Sequence, residues 1–233
     1  MKTKAQKTKL AFKKLMTADV VNLGVERPEN FTYKTGQFAE FLFLDPKNPK
    51  KKTKRAYSIC SVSNDKNIEF LIKLVPNGAG SDYIRKLNEG NTVEISGPYG
   101  HFILEDKEEP LVFIATGVGV APIIGLLRES LNNLGYKKDV RLLFGLRGEE
   151  DIFLVDHLDE LKEKHSNFDY VLTLSRPSDK WTGTKGRVTD YLSKYIDKKA
   201  HYYICGNIDM ASDTKKTLED SGIKEENIHF EAF

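Results

Sequence analysis

The hydrophobic pattern of the chain changes character near residue 107. Before this point, short runs of alternating apolar and polar residues are separated by turn residues, a pattern that predicts β-strands. The predicted strands span residues 20–25, 38–44, 56–60, 68–75 and 92–96. One short helix is predicted over residues 81–87, with Ser81 or Gly80 at its start. Regularly spaced short strands of this kind indicate an antiparallel barrel.

After residue 107 the apolar runs become continuous and alternate with helical segments. Residues 111–115 form an uninterrupted apolar run, as expected for a strand that is buried on both faces. The further predicted strands and helices span residues 123–134, 140–144, 152–164, 170–174, 188–195, 202–205, 210–220 and 228–233. This alternation predicts a parallel sheet with covering helices. The fold class is therefore β-barrel plus α/β, with predicted domains at residues 1–107 and 108–233.

Length and composition support two folded domains. The chain has 233 residues, of which 39% are hydrophobic and 10% aromatic, so it is not a disordered chain. No stretch approaches the roughly 20 uninterrupted apolar residues that span a bilayer. The basic N-terminus is not followed by the apolar region of a signal peptide. We therefore expect a cytoplasmic protein without a membrane span.

The cysteine content argues against a metal cluster. Cys60 and Cys205 are far apart in the sequence and do not form the pattern of a disulfide framework. Two cysteines cannot supply a four-cysteine iron–sulfur or zinc site. We therefore expect no metal.

Charge is unevenly distributed along the chain. Residues 1–14 contain six lysines and residues 47–55 contain six further basic residues, with no acid in either run. Removing those twelve from the 36 basic residues leaves 24, against 34 acidic ones. We interpret the two runs as a solvated tail and a solvated loop, with a surface that attracts an acidic partner as the alternative. Nucleic acid is disfavoured, because no aromatic stacking motif interleaves with the lysines.

A glycine turn follows the first strand of the second half. It contains Thr116, Gly117, Gly119 and Pro122. Glycines allow a phosphate to approach the backbone, and the following helix offers unpaired N–H groups. The third glycine of the Gly-x-Gly-x-x-Gly fingerprint is absent, so a plain tight turn is the alternative. The strand before the turn and the helix after it favour nucleotide binding.

Two segments of the first half are candidates for binding a phosphate or a flat ring. In Arg55-Ala56-Tyr57-Ser58, the arginine suits a pyrophosphate, the tyrosine can stack on a ring, and the serine hydroxyl can reach a ring nitrogen. Gly78-Ala79-Gly80-Ser81 precedes the predicted short helix and is a second candidate anion site. The alternatives are a half-buried strand aromatic at Tyr57 and an ordinary turn with an N-cap at residues 78–81.

The order of these motifs is similar to that of a known family. The Arg-x-Tyr-Ser strand, the turn with Ser81, Gly-Pro-Tyr-Gly at 97–100, the glycine turn, and Cys205-Gly206 with Met210 follow one another along the chain. Together they resemble the ferredoxin–NADP reductase superfamily over residues 10–233. The last five residues are similar to the plant-type ending, with a glutamate two residues before a terminal aromatic. The resemblance implies a flavin-binding antiparallel barrel followed by a parallel-sheet nucleotide-binding domain.

The resemblance also implies the site residues. Those that would bind FAD are Arg55, Ala56, Tyr57, Ser58, Ile72, Lys73, Leu74, Gly78, Ala79, Gly80 and Ser81. Those that would bind the nicotinamide nucleotide are Thr116, Gly117, Gly119, Pro122, Gly206 and Met210. Cys205 would lie beside the nicotinamide, with a buried inert cysteine as the alternative. Ser58 would hydrogen-bond near flavin N5, Glu231 would relay a proton or orient Ser58, and Phe233 would stack on the flavin.

The choice of nucleotide stays open between NADP and NAD. Ser175, Arg176 and Arg187 resemble the 2′-phosphate clamp of NADP-using members, and guanidinium groups suit a phosphate monoester. Trp181-x-Gly183 is similar to NAD-using oxygenase reductases. Val118 stands where many NADP-using members have threonine. We favour NADP, with NAD as the alternative.

The resemblance implies an enzyme rather than a binding module. The expected activity is electron transfer through FAD between NADP(H) and an acidic one-electron carrier, ferredoxin or flavodoxin, by a monomer. The alternatives are an NADH-dependent reductase component of an oxygenase system, a free-flavin reductase, and a regulatory protein without turnover. The cysteine count excludes a built-in iron–sulfur domain, and the presence of Ser58, Cys205 and Glu231 favours an enzyme.

Overall fold

The computed structural model describes residues 5–105 and 108–232, and the chain divides into two compact units. The first unit contains the residues up to Leu104 together with Ile124–Glu129. The second contains Glu105–Ile123 and the residues from Ser130 onward. The domain boundary between residues 107 and 108 stays a prediction, and the units differ from it in assigning Ile124–Glu129 to the first.

The first unit is built on six antiparallel strands. These are β1 (Gln6–Leu15), β2 (Val20–Glu26), β3 (Phe38–Asp45), β4 (Asn48–Ser58), β5 (Asn67–Lys73) and β6 (Thr92–Tyr99). Their order in the sheet is β4-β3-β6-β1-β2-β5. An antiparallel bridge from Ile59 to Phe70 links the end of β4 to β5, so the sheet closes on itself around a core that includes Phe31 and Phe41. The predicted antiparallel barrel is confirmed.

Both lysine-rich runs form strands over most of the residues that the structure describes, from Gln6 in the first run and from Asn48 in the second. β1 pairs with β2 and β6, and β4 pairs with β3 from Asn48 to Ser58. The interpretation as a tail and a loop was therefore wrong, whereas the lysines of the second run are exposed to solvent as expected. Few apolar residues alternate in these runs, so the pattern of the chain alone gave no strand signal; hydrogen bonding to neighbouring strands determines the conformation. Across the β3–β4 ladder, Lys54 Nζ lies 2.7 Å from a carboxylate oxygen of Glu40.

The short helix of the first unit begins earlier than its sequence predicts. Helix α1 spans Ala79–Lys86 and has Gly78 as its N-cap, so Gly80 and Ser81 lie within its first turn instead of starting it. The Ser81 hydroxyl accepts a hydrogen bond from the Val75 N–H at 2.9 Å. This hydroxyl therefore closes the preceding turn, which leaves the start of the helix to Gly78.

The C-terminal end of α1 is capped by a lysine from β1. Lys13 Nζ donates hydrogen bonds to the carbonyls of Ile84, at 3.3 Å, and Arg85, at 3.1 Å, and to the carbonyl of Leu87. The end of a helix leaves such carbonyls without regular intrahelical partners, although the Ile84 carbonyl also accepts the Leu87 N–H at 3.2 Å. One of the supposed tail lysines thus holds α1 against the barrel.

The second unit is a six-stranded parallel sheet with helices between its strands. The strands are β7 (Leu111–Thr116), β8 (Val140–Leu146), β9 (Phe168–Leu174), β10 (Thr184–Lys185), β11 (His201–Gly206) and β12 (Ile228–Ala232). The helices are α2 (Val120–Arg128), α3 (Val155–Lys164) and α4 (Ile208–Asp220), and Val188–Tyr195 is a 3₁₀ segment. The predicted parallel sheet is confirmed. No helix in the described part of the chain has both the length and the apolar character needed to cross a bilayer.

Helix α2 contributes its later residues to the first unit. Arg128 donates two hydrogen bonds to the Asp65 carboxylate, at 2.8 and 2.9 Å, and the Thr35 hydroxyl donates to Glu129 at 3.2 Å. A Cβ added at Gly125 would lie 2.9 Å from the Thr35 methyl group, so only glycine allows this close packing. These contacts explain why Ile124–Glu129 belongs to the first unit.

The strand order of the second sheet reverses between β7 and β11. The order is β10-β9-β8-β7-β11-β12, so the chain adds strands on one side of β7 and then returns to the other side. In open α/β sheets, ligands bind at the carboxyl ends of the strands that flank such a reversal. Here those ends are Thr116 of β7 and Gly206 of β11.

Candidate functional site

The glycine turn after β7 packs directly on the end of β11. A Cβ added at Gly119 would overlap the Cys205 carbonyl oxygen and lie 2.5 Å from Gly206 Cα. A Cβ added at Gly206 would overlap Thr116 Oγ1 and lie 3.0 Å from Met210 Cε. The absence of side chains at these two glycines allows the backbones to approach. The structure therefore brings together five residues that the sequence assigned to the nucleotide site.

The other side of the turn is open. Gly117 has a φ of +54°, and a Cβ added there would meet no atom within 4 Å. The 3₁₀ turn Gly117–Gly119 leads into α2, with Pro122 in the first turn of that helix. Open backbone followed by a helix N-terminus suits a phosphate. The residues present thus fit the pyrophosphate of a nicotinamide nucleotide.

Buried Cys205 and half-buried Glu231 form a pair on neighbouring strands. They are register partners in the β11–β12 ladder. Burial raises the pKa of the Cys205 thiol, and the Glu231 charge raises it further. Burial also raises the pKa of Glu231, whose Oε2 atom has no hydrogen-bond partner among the described residues. An unpaired buried oxygen is costly, so this position suits a polar group of a bound ligand.

The predicted clamp residues lie at neighbouring strand ends. Ser175 and Arg176 follow β9 directly and are exposed, and the Arg176 N–H donates to the Arg147 carbonyl at 2.7 Å. Arg187 is exposed and caps the segment Val188–Tyr195, with its N–H donating to Asp190 at 2.7 Å. Arg147, which follows β8, was missed by the sequence analysis. Arg176 was identified through the resemblance to the 2′-phosphate clamp, and Arg147 was not part of that resemblance.

The turn between β9 and β10 is shaped by Trp181. Its ring lies against Gly183, where an added Cβ would come 2.7 Å from Cε2, and its Nε1–H donates to the Thr184 carbonyl at 3.0 Å. The Trp-x-Gly pair thus forms one compact turn beside the predicted clamp residues.

The two flavin candidates of the first unit come together at Gly80. A Cβ added there would overlap the Tyr57 hydroxyl and lie 3.0 Å from Arg55 Cγ. The Tyr57 ring meets Phe41 edge-on at 5.5 Å, and burial raises the pKa of Tyr57 to about 12. Ser58 ends β4 and is half-buried, while Ala56 is exposed. The Arg-x-Tyr-Ser strand and the start of α1 therefore form one site, which fits the pyrophosphate and ring of FAD.

The remaining flavin candidates lie in different surroundings. Ile72 and Leu74 are buried in the barrel core, so only their main-chain atoms are available to a ligand. Lys73 Nζ lies 3.0 Å from Asp19. Gly78 faces Val75, whose Cγ2 would lie 2.7 Å from an added Cβ, and Ala79 packs against the core.

The C-terminal prediction is partly outside the described residues. Phe233 lies beyond them, so its stacking on the flavin stays a prediction. Glu231 lies within β12, in the parallel sheet of the second unit. Its proposed action on Ser58 stays a prediction as well.

Comparison with known proteins assigns both halves of the chain. Residues 7–103 match the oxidoreductase FAD-binding domain, and residues 113–216 match the oxidoreductase NAD-binding domain. The chain is 31% identical over 227 residues to ferredoxin–NADP reductase B of Sorangium cellulosum, covering 92% of this chain and 91% of that relative. Fold and site thus define a flavin- and nicotinamide-nucleotide-dependent oxidoreductase. The chain belongs to the ferredoxin–NADP reductase superfamily.

Other similar proteins include a component of an NADH-quinone reductase and a second ferredoxin–NADP⁺ reductase. One component of the Na⁺-translocating NADH-quinone reductase of Actinobacillus succinogenes is 33% identical over 197 residues, which cover 77% of this chain and 48% of that relative. The chain thus spans about half the length of the relatives of this kind. The crystal structure of a ferredoxin–NADP⁺ reductase from Neisseria gonorrhoeae, with bound FAD and NADP, matches with a TM-score of 0.86 at 25% identity, covering 98% of both chains.

Proposed function

We propose that this oxidoreductase transfers electrons between NADP(H) and an acidic one-electron carrier of the ferredoxin or flavodoxin type. The observation that carries the proposal is the glycine turn at the reversal of strand order, open at Gly117 and adjoining the Cys205–Glu231 pair. The similarity to the Sorangium reductase supports it, since it extends over most of both chains. A cytoplasmic location and a monomeric state stay predictions.

The first unit would bind FAD. When bound, FAD supplies the redox chemistry, exchanging a hydride with the nicotinamide and single electrons with the carrier. Arg55 and the backbone N–H groups at the start of α1 bind the pyrophosphate, since both adjoin Gly80. Tyr57 stacks on a ring of the cofactor, and the hydroxyl of Ser58 donates a hydrogen bond to a ring nitrogen.

The second unit would bind the nicotinamide nucleotide. Thr116, Gly117 and the N-terminus of α2 bind its pyrophosphate. Cys205 excludes water beside the nicotinamide because its side chain is uncharged and buried. Burial of Glu231 raises the pKa of its carboxyl group and so favours the protonated form.

The carrier would dock on the basic strand β4. Side chains two residues apart share one face of a regular strand, so Lys52 and Lys54 point the same way, and exposed Lys50 lies in the irregular part of the β3–β4 ladder beside them. A surface groove of about 390 Å³ is lined by apolar residues of β3, by Lys52, Thr53 and Lys54 of β4, and by one acidic residue, Glu94. Apolar side chains rimmed by lysines suit an acidic protein partner, because charge steers the encounter and the apolar contact holds it.

A second candidate is an NADH-dependent reductase. The compact turn of Trp181 and Gly183 favours it, since this pair resembles NAD-using reductases. The similarity to a component of NADH-quinone reductases supports the same choice. The carrier in that case is an oxygenase component or another acceptor, including free flavin.

Reduction of the purified protein tests the proposal. We expect a flavin absorption spectrum that is bleached anaerobically by NADPH and restored by oxidised ferredoxin or flavodoxin. A protein without flavin, or a flavin that neither nucleotide bleaches, contradicts the proposal. A flavin that is bleached by NADH but not by NADPH would support the NADH-dependent reductase instead.

The variant Arg176→Ala tests the nucleotide preference. Loss of a charge-assisted phosphate contact costs about 1.5–3 kcal/mol, so kcat/KM for NADPH should fall roughly 10- to 100-fold while that for NADH stays unchanged. Lys180→Ala, an exposed cation of the same segment, is the matched control and should leave both values unchanged. Equal losses with both nucleotides in Arg176→Ala show that this arginine does not read the 2′-phosphate.

A further inference from the structure

A group of three metal-ligating side chains lies at the amino-terminal edge of the second sheet, opposite the glycine turn. His201 is the first residue of β11, His229 lies near the start of β12, and Glu105 precedes β7. His201 Nδ1 is 3.1 Å from His229 Nε2, and a Glu105 carboxylate oxygen is 4.0 Å from His229 Nδ1. One potential ligand atom from each residue lies within 4.8 Å of the other two.

The arrangement suits a zinc ion. Two imidazole nitrogens and one carboxylate oxygen, with water in the fourth position, are a ligand set that Zn²⁺ accepts. At ordinary Zn–N distances, two nitrogens of a tetrahedral site lie about 3.3 Å apart, close to the 3.1 Å between His201 and His229. The Glu105 side chain is 40% exposed, which leaves a path for the ion.

A tyrosine contacts the ring of His229 and the backbone of Glu105. The Tyr203 ring stacks on His229, with centroids 4.5 Å apart and an interplanar angle of 19°. Its hydroxyl accepts a hydrogen bond from the Glu105 N–H at 3.0 Å. Groups that hold metal ligands in place in this way raise the affinity of a site, because less order is lost on binding.

We propose that Glu105, His201 and His229 bind one Zn²⁺ ion per chain. The ion joins the segment at Glu105 to strands β11 and β12, so its binding stabilises the second unit. The site lies at the end of the sheet away from the candidate nucleotide site and does not depend on the proposed function. Cysteine counting could not have found it, because its ligands are imidazole and carboxylate.

Calorimetric titration tests the proposal. The FAD-loaded protein, carrying no polyhistidine tag and freed of metal with a chelator, is titrated with ZnCl₂. We expect one ion per chain and a rise in Tm with Zn²⁺ that EDTA reverses. Loss of a group that only hydrogen-bonds to a metal ligand lowers metal affinity roughly 10- to 100-fold. Glu105→Gln and His229→Gln each remove a ligand, so each should lower the affinity for Zn²⁺ by more than this. Glu108→Gln and His165→Gln are the matched controls and should bind Zn²⁺ as the parent does.

Three results overturn the proposal. They are the absence of saturable one-to-one binding, an affinity unchanged in Glu105→Gln, and an affinity lost in either control. The absence of saturable Zn²⁺ binding would mean that the contact between His201 and His229 is only a hydrogen bond. If His229→Gln does not fold, Glu105→Gln decides alone, because its side chain is partly exposed and the substitution preserves its size.

Discussion

At the scale of single residues, the carboxyl group of Glu231 is the most unusual feature of the nucleotide edge. It is half-buried beside Cys205 and has one buried oxygen without a partner among the described residues. Burial disfavours its charged form and therefore raises its pKa. A carboxyl group that holds its proton more tightly in the folded protein couples folding to pH.

The variant Glu231→Gln should reveal this coupling. Because the pKa is raised on folding, the stabilisation from protonated Glu231 is complete below the ordinary carboxyl pKa of 4.5 and is lost as pH rises through the raised value. Glutamine stays neutral at every pH. We therefore expect the Tm of Glu231→Gln relative to the parent to increase across this pH window. Tm measured from acid to neutral pH checks it, with exposed Glu163→Gln as control; a constant difference contradicts the assignment.

At the scale of elements, α1 depends on a side chain from a distant strand. Lys13 of β1 bonds the last carbonyls of the helix whose first turn carries Gly80 and Ser81. A cation at a helix C-terminus also interacts favourably with the helix dipole. The position of the candidate pyrophosphate site is therefore tied to β1.

The variant Lys13→Met should lower the free energy of unfolding by about 0.5–1 kcal/mol, because the carbonyls lose their donor while the aliphatic stem is retained. Lys14→Met alters the neighbouring, exposed lysine and should have little effect. Urea denaturation of the three FAD-loaded proteins makes the comparison. Equal losses in the two variants would mean that only the general charge of β1 matters.

The sequence was sufficient to predict the secondary-structure elements whose side chains are apolar. The run 111–115 predicted β7 because a strand buried on both faces must be apolar throughout. β1 and the first part of β4, before the predicted strand at 56–60, were missed because the lysines of an outward-facing strand need no apolar alternation. In the candidate site, the glycines of the sequence predicted the turn after β7. The pairing of Cys205 with Glu231 could be recognised only once the strand order was known. Strand order is a property of the whole sheet that no local pattern encodes.

At the scale of the whole molecule, charge is concentrated on particular strands. The basic run of β4 contrasts with the remainder of the chain, in which acidic residues outnumber basic ones. Pairing with β3 places Lys52 and Lys54 on one strand, and Lys50 and Lys51 lie next to them in the irregular part of the ladder, so their charges act together. Such a row steers an acidic carrier at low ionic strength, and salt screens it over about 10 Å at 0.1 M.

The double variant Lys50→Glu/Lys52→Glu should lower kcat/KM for an acidic carrier at least about tenfold at low salt and weaken its salt dependence. Reduction of a small neutral acceptor should be unaffected. Lys198→Glu/Lys199→Glu, which changes two exposed lysines of the second unit by the same charge, is the control. Identical salt dependence in the double variant and the parent would show that β4 does not dock the carrier.

The assignment of Ile124–Glu129 to the first unit has a consequence for biosynthesis. During translation, the segment Glu105–Ile123 leaves the ribosome before the last part of the first unit has been made. Until Arg128 emerges, the Asp65 carboxylate lacks the guanidinium that it binds in the finished protein. The nascent first unit therefore cannot complete its folding before synthesis of the second has begun. For the same reason, a fragment cut at residue 107 would resemble this nascent state more than an independent domain.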